Sequence, residues 1–295
     1  MSWRAYFAAF AVHSPVHVGY HTVSHSDRTR YYIPGKNMMS AFASALDAEE
    51  GGVNTSVLQA VRESFLFSTF FVSRNGRDAL FPALTEDGDL YYGRERLSLW
   101  DFTSQFISAK EGRKYQAEKT RSEMDFIVPK NNLKKDQNYL VGYIFASDDA
   151  EDKGLGAWLR SLRELNIGEE VGSRMGNVRL IVLEKVLRED NRVPFFSLDG
   201  IYLDWSQDKV TVVYEKQGPL LGYLRAEGES SFVSIYGVQE STEGSIDLLQ
   251  KQSTEVKNNK CWVPGTLVKP APEGSTFVMG YDGLLGVETK DEENR

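Results

Sequence analysis

The chain has a single cysteine, Cys261, in 295 residues. No intramolecular disulfide can form, and such cysteine usage fits a reducing compartment, here expected to be the cytoplasm. One cysteine also cannot build a cysteine-type zinc site. The P-loop, zincin, nucleophile-elbow and dinucleotide-fingerprint motifs are all missing, which removes the commonest enzyme classes. No apolar run approaches the roughly 20 residues that a membrane-spanning helix needs. The N-terminal run Trp3–Val12 is short, lacks a basic leader and carries aromatics, so no secretory signal and no membrane partner are expected. Positive charge is scarce as well. With 34 Lys and Arg against 42 Asp and Glu, the formal net charge is -8. That balance argues against indiscriminate nucleic-acid binding and leaves room only for a local basic site.

What is present is ordinary globular material, 41% hydrophobic and 12% aromatic. The most informative stretch is Pro15-Val-His-Val-Gly-Tyr-His21, followed by Tyr31-Tyr-Ile-Pro-Gly-Lys36. It reads as a strand exit, a polar loop and a helix beginning near Gly35 or Lys36, because the residue before a proline is pushed out of the helical region. Met38, Met39, Phe42, Ala45 and Leu46 then recur at helical spacing. A helix start of this kind points backbone donors at a potential anion.

Further along, Glu63–Val72 reads as a strand ending at the turn Asn75-Gly76, with a partner strand at Arg77–Leu84 and a short strand at Leu90–Tyr92. Residues 106–128, basic in the middle and apolar at both ends, read as a projecting hairpin. A strand at Asn138–Phe145, a helix near Gly154–Leu165 and a strand at Val178–Leu183 complete the series. The order strand, helix, strands, helix, strand gives an α+β class: a ferredoxin-like (RRM-like) βαββαβ domain over 1–187 with an inserted hairpin. A β-rich second domain, with a ferredoxin-like fold one option for it, is expected over 193–287, and a disordered acidic tail over 288–295.

Several residues could carry chemistry. The four histidines His13, His17, His21 and His25 recur every four residues, but Pro15 and Gly19 break the helix that would align them on a metal. They are read as structural or RNA-contacting, with His21 or His25 as a general base the alternative; no metal or other cofactor is expected. Asp27 is either a turn residue or a group for metal-assisted phosphodiester cleavage. Lys110, Arg113, Lys114, Lys119 and Arg121 outweigh Glu111 and Glu118 by three charges, around Tyr115. That face is either solvated or a phosphate-contacting thumb with a stacking ring. In Ile167–Gly176, glycines permit positive φ and close backbone approach, while Ser173 and Arg174 add a hydroxyl and a guanidinium. Its alternative is a flexible turn between elements.

Pro15–Gly19, Tyr32–Lys36 and Ile167–Leu180, in that order, resemble the RAMP superfamily of CRISPR effector subunits, most closely the Cas-five-like subunits of type III (Csm/Cmr-type) complexes. The resemblance covers residues 3–187. It implies a non-catalytic subunit that holds the 5′ handle of a CRISPR RNA, docks to the large subunit and the backbone RAMP subunits, and meets target RNA only indirectly. By position, Gly168, Gly172, Ser173, Arg174 and Gly176 become the glycine-rich loop on handle phosphates. His17, Gly19, Tyr20, His21 and Lys36 line the neighbouring groove wall, and Lys110, Arg113, Lys114, Tyr115, Lys119 and Arg121 form the thumb. Met175 and Asn177 depart from the usual G-x-G-x-G-R ending. The alternatives within the resemblance are a backbone subunit cutting target RNA through Asp27 and a histidine-dependent repeat-processing endoribonuclease.

Overall fold

The computed structural model describes residues 2–23, 26–49, 55–84, 90–93, 101–109, 121–150, 158–168, 175–187, 192–206, 208–225, 234–236, 239–241, 260–281 and 283–287. In chain order the first part comprises β1 (Trp3–Val12), β2 (Gly19–Val23), β3 (Ser26–Thr29), β4 (Tyr32–Ile33), α1 (Gly35–Glu49), α2 (Thr55–Ser64), β5 (Phe65–Phe67) and β6 (Phe70–Ser73). Then follow β7 (Pro82–Leu84), β8 (Leu90–Tyr92), β9 (Thr103–Ala109), β10 (Arg121–Ile127), β11 (Tyr139–Ser147), α3 (Trp158–Ser161), β12 (Glu164–Asn166) and β13 (Asn177–Lys185).

The central sheet runs β12-β13-β1-β11-β6-β4, with β5 also on β11. β1 is antiparallel to both its neighbours, β11 and β13. Its unbroken apolar run follows from burial on both faces. Successive side chains alternate between faces, so Ala8, Phe10 and Val12 enter one core while Ala5 and Ala9 enter the other. The first core lies under α1, where Met38, Met39, Phe42 and Leu46 meet Phe65, Phe67 and Ile144. Gly142 makes this packing possible, because a Cβ there would stand 2.6 Å from the Phe70 ring. The second core joins Val141, Tyr143 and Phe145 of β11 to Phe195, Leu203, Trp205 and Leu220. Truncating Phe10 or Phe145, fully buried in these two cores, would cost about 3–5 kcal/mol each.

Residues 192–287 supply that second cover. An eight-stranded sheet passes in spatial order through Arg192–Pro194, Ile201–Asp204, Thr211–Tyr214, Ser275–Met279, Leu284–Val287, Tyr223–Arg225, Lys260–Trp262 and Gln239–Ser241. Its described residues hold one 3-10 turn, Phe195–Ser197, and no α-helix. The tail 288–295 lies outside the described residues. No helix among the described residues is long and apolar enough to cross a membrane.

Several expectations need correcting. The helix expected over Gly154–Leu165 is a single described turn, Trp158–Ser161, and Leu165 belongs to β12, where it pairs with Val178. Leu159 in the turn is exposed, whereas Leu162 just beyond it and Leu165 in the strand are buried in one core. The strand expected from Glu63 begins at Phe65, because Thr55–Ser64 is helical. Beyond Asn75-Gly76 the return is confined to a bridge of Ala79 with Ser73 and a bond from Leu80 N to Val72 O at 2.7 Å, and Pro82–Leu84 pairs instead with Leu90–Tyr92. The presumed polar loop after His21 holds the hairpin of β2 and β3.

Candidate nucleic-acid interface

Four segments converge where β1 ends. Beyond Val12 the chain turns at Ser14-Pro15, and the end of the glycine loop is fastened to that turn. Gly176 donates its amide to Pro15 O at 2.8 Å, His13 donates to Asn177 O at 2.9 Å, and Asn177 donates to Ser14 Oγ at 2.8 Å. Within the loop's base, Ile167 donates to Gly176 O at 2.8 Å.

Glycine is required at both described ends of this loop. Gly168 has φ +124° and a Cβ on it would lie 2.6 Å from His17 O; Gly176 has φ +84° and its Cβ would lie 2.2 Å from Ile167 O. Both positions combine a left-handed backbone with contact too close for any side chain. The expected approach of the glycine loop to the Pro15–Gly19 segment is therefore a close backbone contact. Gly172, Ser173 and Arg174 lie outside the described residues.

The third segment is the root of the thumb. β9 and β10 pair antiparallel from Thr103 with Ile127 to Ala109 with Arg121, so the hairpin expected over 106–128 has its base here. Its basic middle, including Lys110, Arg113, Lys114, Tyr115 and Lys119, lies outside the described residues. Of Arg121 the structure describes the backbone only. Val16 and Ile127 exchange backbone hydrogen bonds at 3.0 and 2.9 Å, and His17 Nδ1 lies 2.7 Å from Asp125 O. A carbonyl only accepts, so Nδ1 carries the proton, and in the neutral ring Nε2 is left as an acceptor.

The fourth is the hairpin of β2 and β3, with β3 parallel to β10 through Ser26 opposite Glu123 and Asp27 opposite Met124. Gly19 pairs with Thr29. The backbones of Tyr20, His21 and Asp27 are thus placed beside the thumb root, while His25 lies outside the described residues. Arg30 at the end of this hairpin donates through Nη1 to Gly19 O and through Nε to Tyr223 OH at 2.7 Å, and Tyr223 OH is 2.9 Å from Tyr32 OH. This chain of bonds ties the hairpin to the second sheet.

Lys36 is not part of the convergence. β4, which leads into α1, closes the edge of the central sheet opposite β12 and β13. Four strand steps from β13 at about 4.8 Å each put them about 19 Å apart across the sheet. The helix start is also covered: Gly35 is buried, with its absent Cβ 2.1 Å from Phe67 O and 3.0 Å from the Cα of Gly283. A Cβ on Gly283 would in turn lie 3.1 Å from Gly35 N, so the Gly283 turn packs against the helix start. Among the described residues no group of three or more His, Cys, Asp or Glu is placed to hold a metal.

The sequence did not single out Ser14, Asp125 or Arg30, which act through a hydroxyl, a backbone carbonyl and a guanidinium respectively. Only Ser14-Pro15 carried a local turn signal.

No protein-family model and no curated protein matches the chain. Solved structures do. A chain of the type III-B Cmr-beta complex bound to cognate target RNA and AMPPnP aligns over 90% of this chain and 86% of its own, with a TM-score of 0.50 and 13% identity. This chain shares that fold. A second structure of Cmr-beta with cognate target RNA aligns at TM-score 0.47 and 14% identity, over 89% and 86% of the two chains. Oligomeric Cmr4 from Pyrococcus furiosus aligns over 63% of this chain and 100% of its own, with TM-score 0.33 and 12% identity. The likeness in fold to the Cmr-beta chain spans nearly the whole of this chain.

Proposed function

We propose that the protein is a non-catalytic RNA-binding subunit of a type III CRISPR interference complex, which holds the 5′ handle of the CRISPR RNA and docks to neighbouring subunits. The sheet order β13-β1-β11-β6, antiparallel throughout and crossed by α1, is taken as the ferredoxin-like βαββαβ unit that carries the site. The observation behind the proposal is the convergence at the end of β1. There the glycine loop's two ends, the Pro15–Gly19 segment and the thumb root share backbone hydrogen bonds and contacts closer than any side chain allows.

Backbone amides and a loop guanidinium contact phosphates and so position a strand without reading its sequence, while an aromatic such as Tyr115 accepts a splayed base. The acidic remainder suits docking to basic partner surfaces. The test is filter binding of the chain and of Arg174→Glu to a CRISPR RNA handle oligonucleotide. The variant should bind about tenfold or more weakly at 0.1 M salt, and equal affinity would remove the glycine loop from the interface. Asp27→Ala reports on the cutting alternative: loss of target cleavage in a complex that still assembles would support catalysis.

A further inference from the structure

We infer that the loop between β10 and β11 is a second phosphate-contacting element beside the glycine loop, using Lys130, Lys134 and Lys135; the inference rests on the RNA-binding reading above. The loop is built as a fixed knuckle. Asn131 Oδ1 accepts the Lys134 amide at 2.7 Å, Asn131 N donates to Asp136 O at 2.9 Å, and Lys135 N donates to Asn131 O at 3.1 Å. Lys135 is held at φ 60°, a left-handed conformation unusual for lysine. Asn132 fastens the knuckle to the start of β9 through its amide to Asp101 O and its Nδ2 to Thr103 O, both at 2.8 Å.

Its position decides what the knuckle serves. Gln137 Nε2 donates to Val12 O at 2.7 Å and Val12 N donates to Asn138 O at 3.0 Å. On the other side of the same β1 exit, His13 and Pro15 bond to Asn177 and Gly176. Knuckle and glycine loop thus flank residues 12–15 from opposite sides, and a strand held at one reaches the other.

Lys130, Lys134 and Lys135 are exposed, and among the described residues none of them has a carboxylate within ion-pairing distance. Leu133 stands among them 68% exposed. Against Asp136 the loop carries two net positive charges in a chain of net charge -8. Like charges fixed on a stiff backbone repel one another, and a polyanion relieves this. Lysine ammonium groups meet phosphates as point charges, without base selectivity.

The experiment is a salt series of fluorescence anisotropy titrations with a labelled mixed-sequence single-stranded RNA. It compares the natural chain, Lys134→Gln, the triple change Lys130→Gln, Lys134→Gln and Lys135→Gln, and a charge-matched control with Lys209→Gln, Lys216→Gln and Lys269→Gln. The log-log salt slope should fall by about 0.7 in the single variant and about 2 in the triple, which should also lose about tenfold in affinity. The control should keep the natural slope. A triple variant that behaves like the control overturns the knuckle and leaves the glycine-loop reading standing. A natural chain that does not bind the RNA overturns both.

Discussion

Gly176 donates its amide to the carbonyl of Pro15 at 2.8 Å while holding φ at +84°. One residue thus fixes both the shape of the glycine loop's end and its attachment to the β1 exit. Gly176→Ala would force a Cβ to within 2.2 Å of Ile167 O. The expected cost is about 2 kcal/mol or more in urea unfolding, with RNA affinity falling alongside. Gly286→Ala is the comparison, since nothing lies within 4 Å of its Cβ position, and it should stay within about 0.5 kcal/mol.

His17 joins the same turn to the thumb root through Nδ1 and Asp125 O. His17→Ala should lose about 1 kcal/mol of stability, and His17→Asn, whose amide places a donor near the Nδ1 position, should recover part of it. The recovery separates this hydrogen bond from simple packing.

Tyr223 OH serves two partners, Arg30 Nε and Tyr32 OH. Tyr223→Phe should destabilise by about 1–2 kcal/mol because it removes a hydrogen bond from a charged donor. A double-mutant cycle with Tyr32→Phe should show coupling of about 0.5 kcal/mol or more.

Alkaline stability should depend on two buried phenols. Burial pushes Tyr143 up to about 12, against a backbone hydrogen bond with Phe196 that lowers it. Tyr214 is raised further, again chiefly by burial, with a smaller lowering from its hydrogen bond with Leu221. In the unfolded chain these groups lose their protons near pH 10, so above that pH the folded state binds more protons and stability falls as pH rises. From pH 10 to 12 Tyr143 alone should remove about 2 kcal/mol. Tyr143→Phe should flatten that part of the pH profile measured by urea midpoint.

The central strands were legible because burial on both faces leaves long apolar runs, as in Trp3–Val12 and Tyr139–Ser147. Pro34 marked the start of α1 at Gly35 for a local steric reason. The spacing of Leu159, Leu162 and Leu165 misled, because Leu162 and Leu165 reach one core from a turn and a short edge strand while Leu159, in the single helical turn, is exposed. The segments that meet the glycine loop could be read in their order, but the close backbone contact of Gly168 with His17 O depends on chain positions about 150 residues apart. Lys130, Lys134 and Lys135 sit in no sequence motif, and the bond from Gln137 to Val12 O is what sets them beside the β1 exit. Lys36, adjacent to the glycine loop in the sequence reading, stands at the opposite sheet edge because strand order is not chain order.

The claim at the centre of this account is that the chain holds a CRISPR RNA by its handle. Purification of the tagged chain from its native cells, followed by sequencing of the small RNA that accompanies it, tests that claim most directly. The account predicts reads that share one constant 5′ segment followed by variable spacer sequence, enriched over an untagged control and depleted with Arg174→Glu. RNA no more abundant than in the untagged control, or reads without a common 5′ segment, would contradict it.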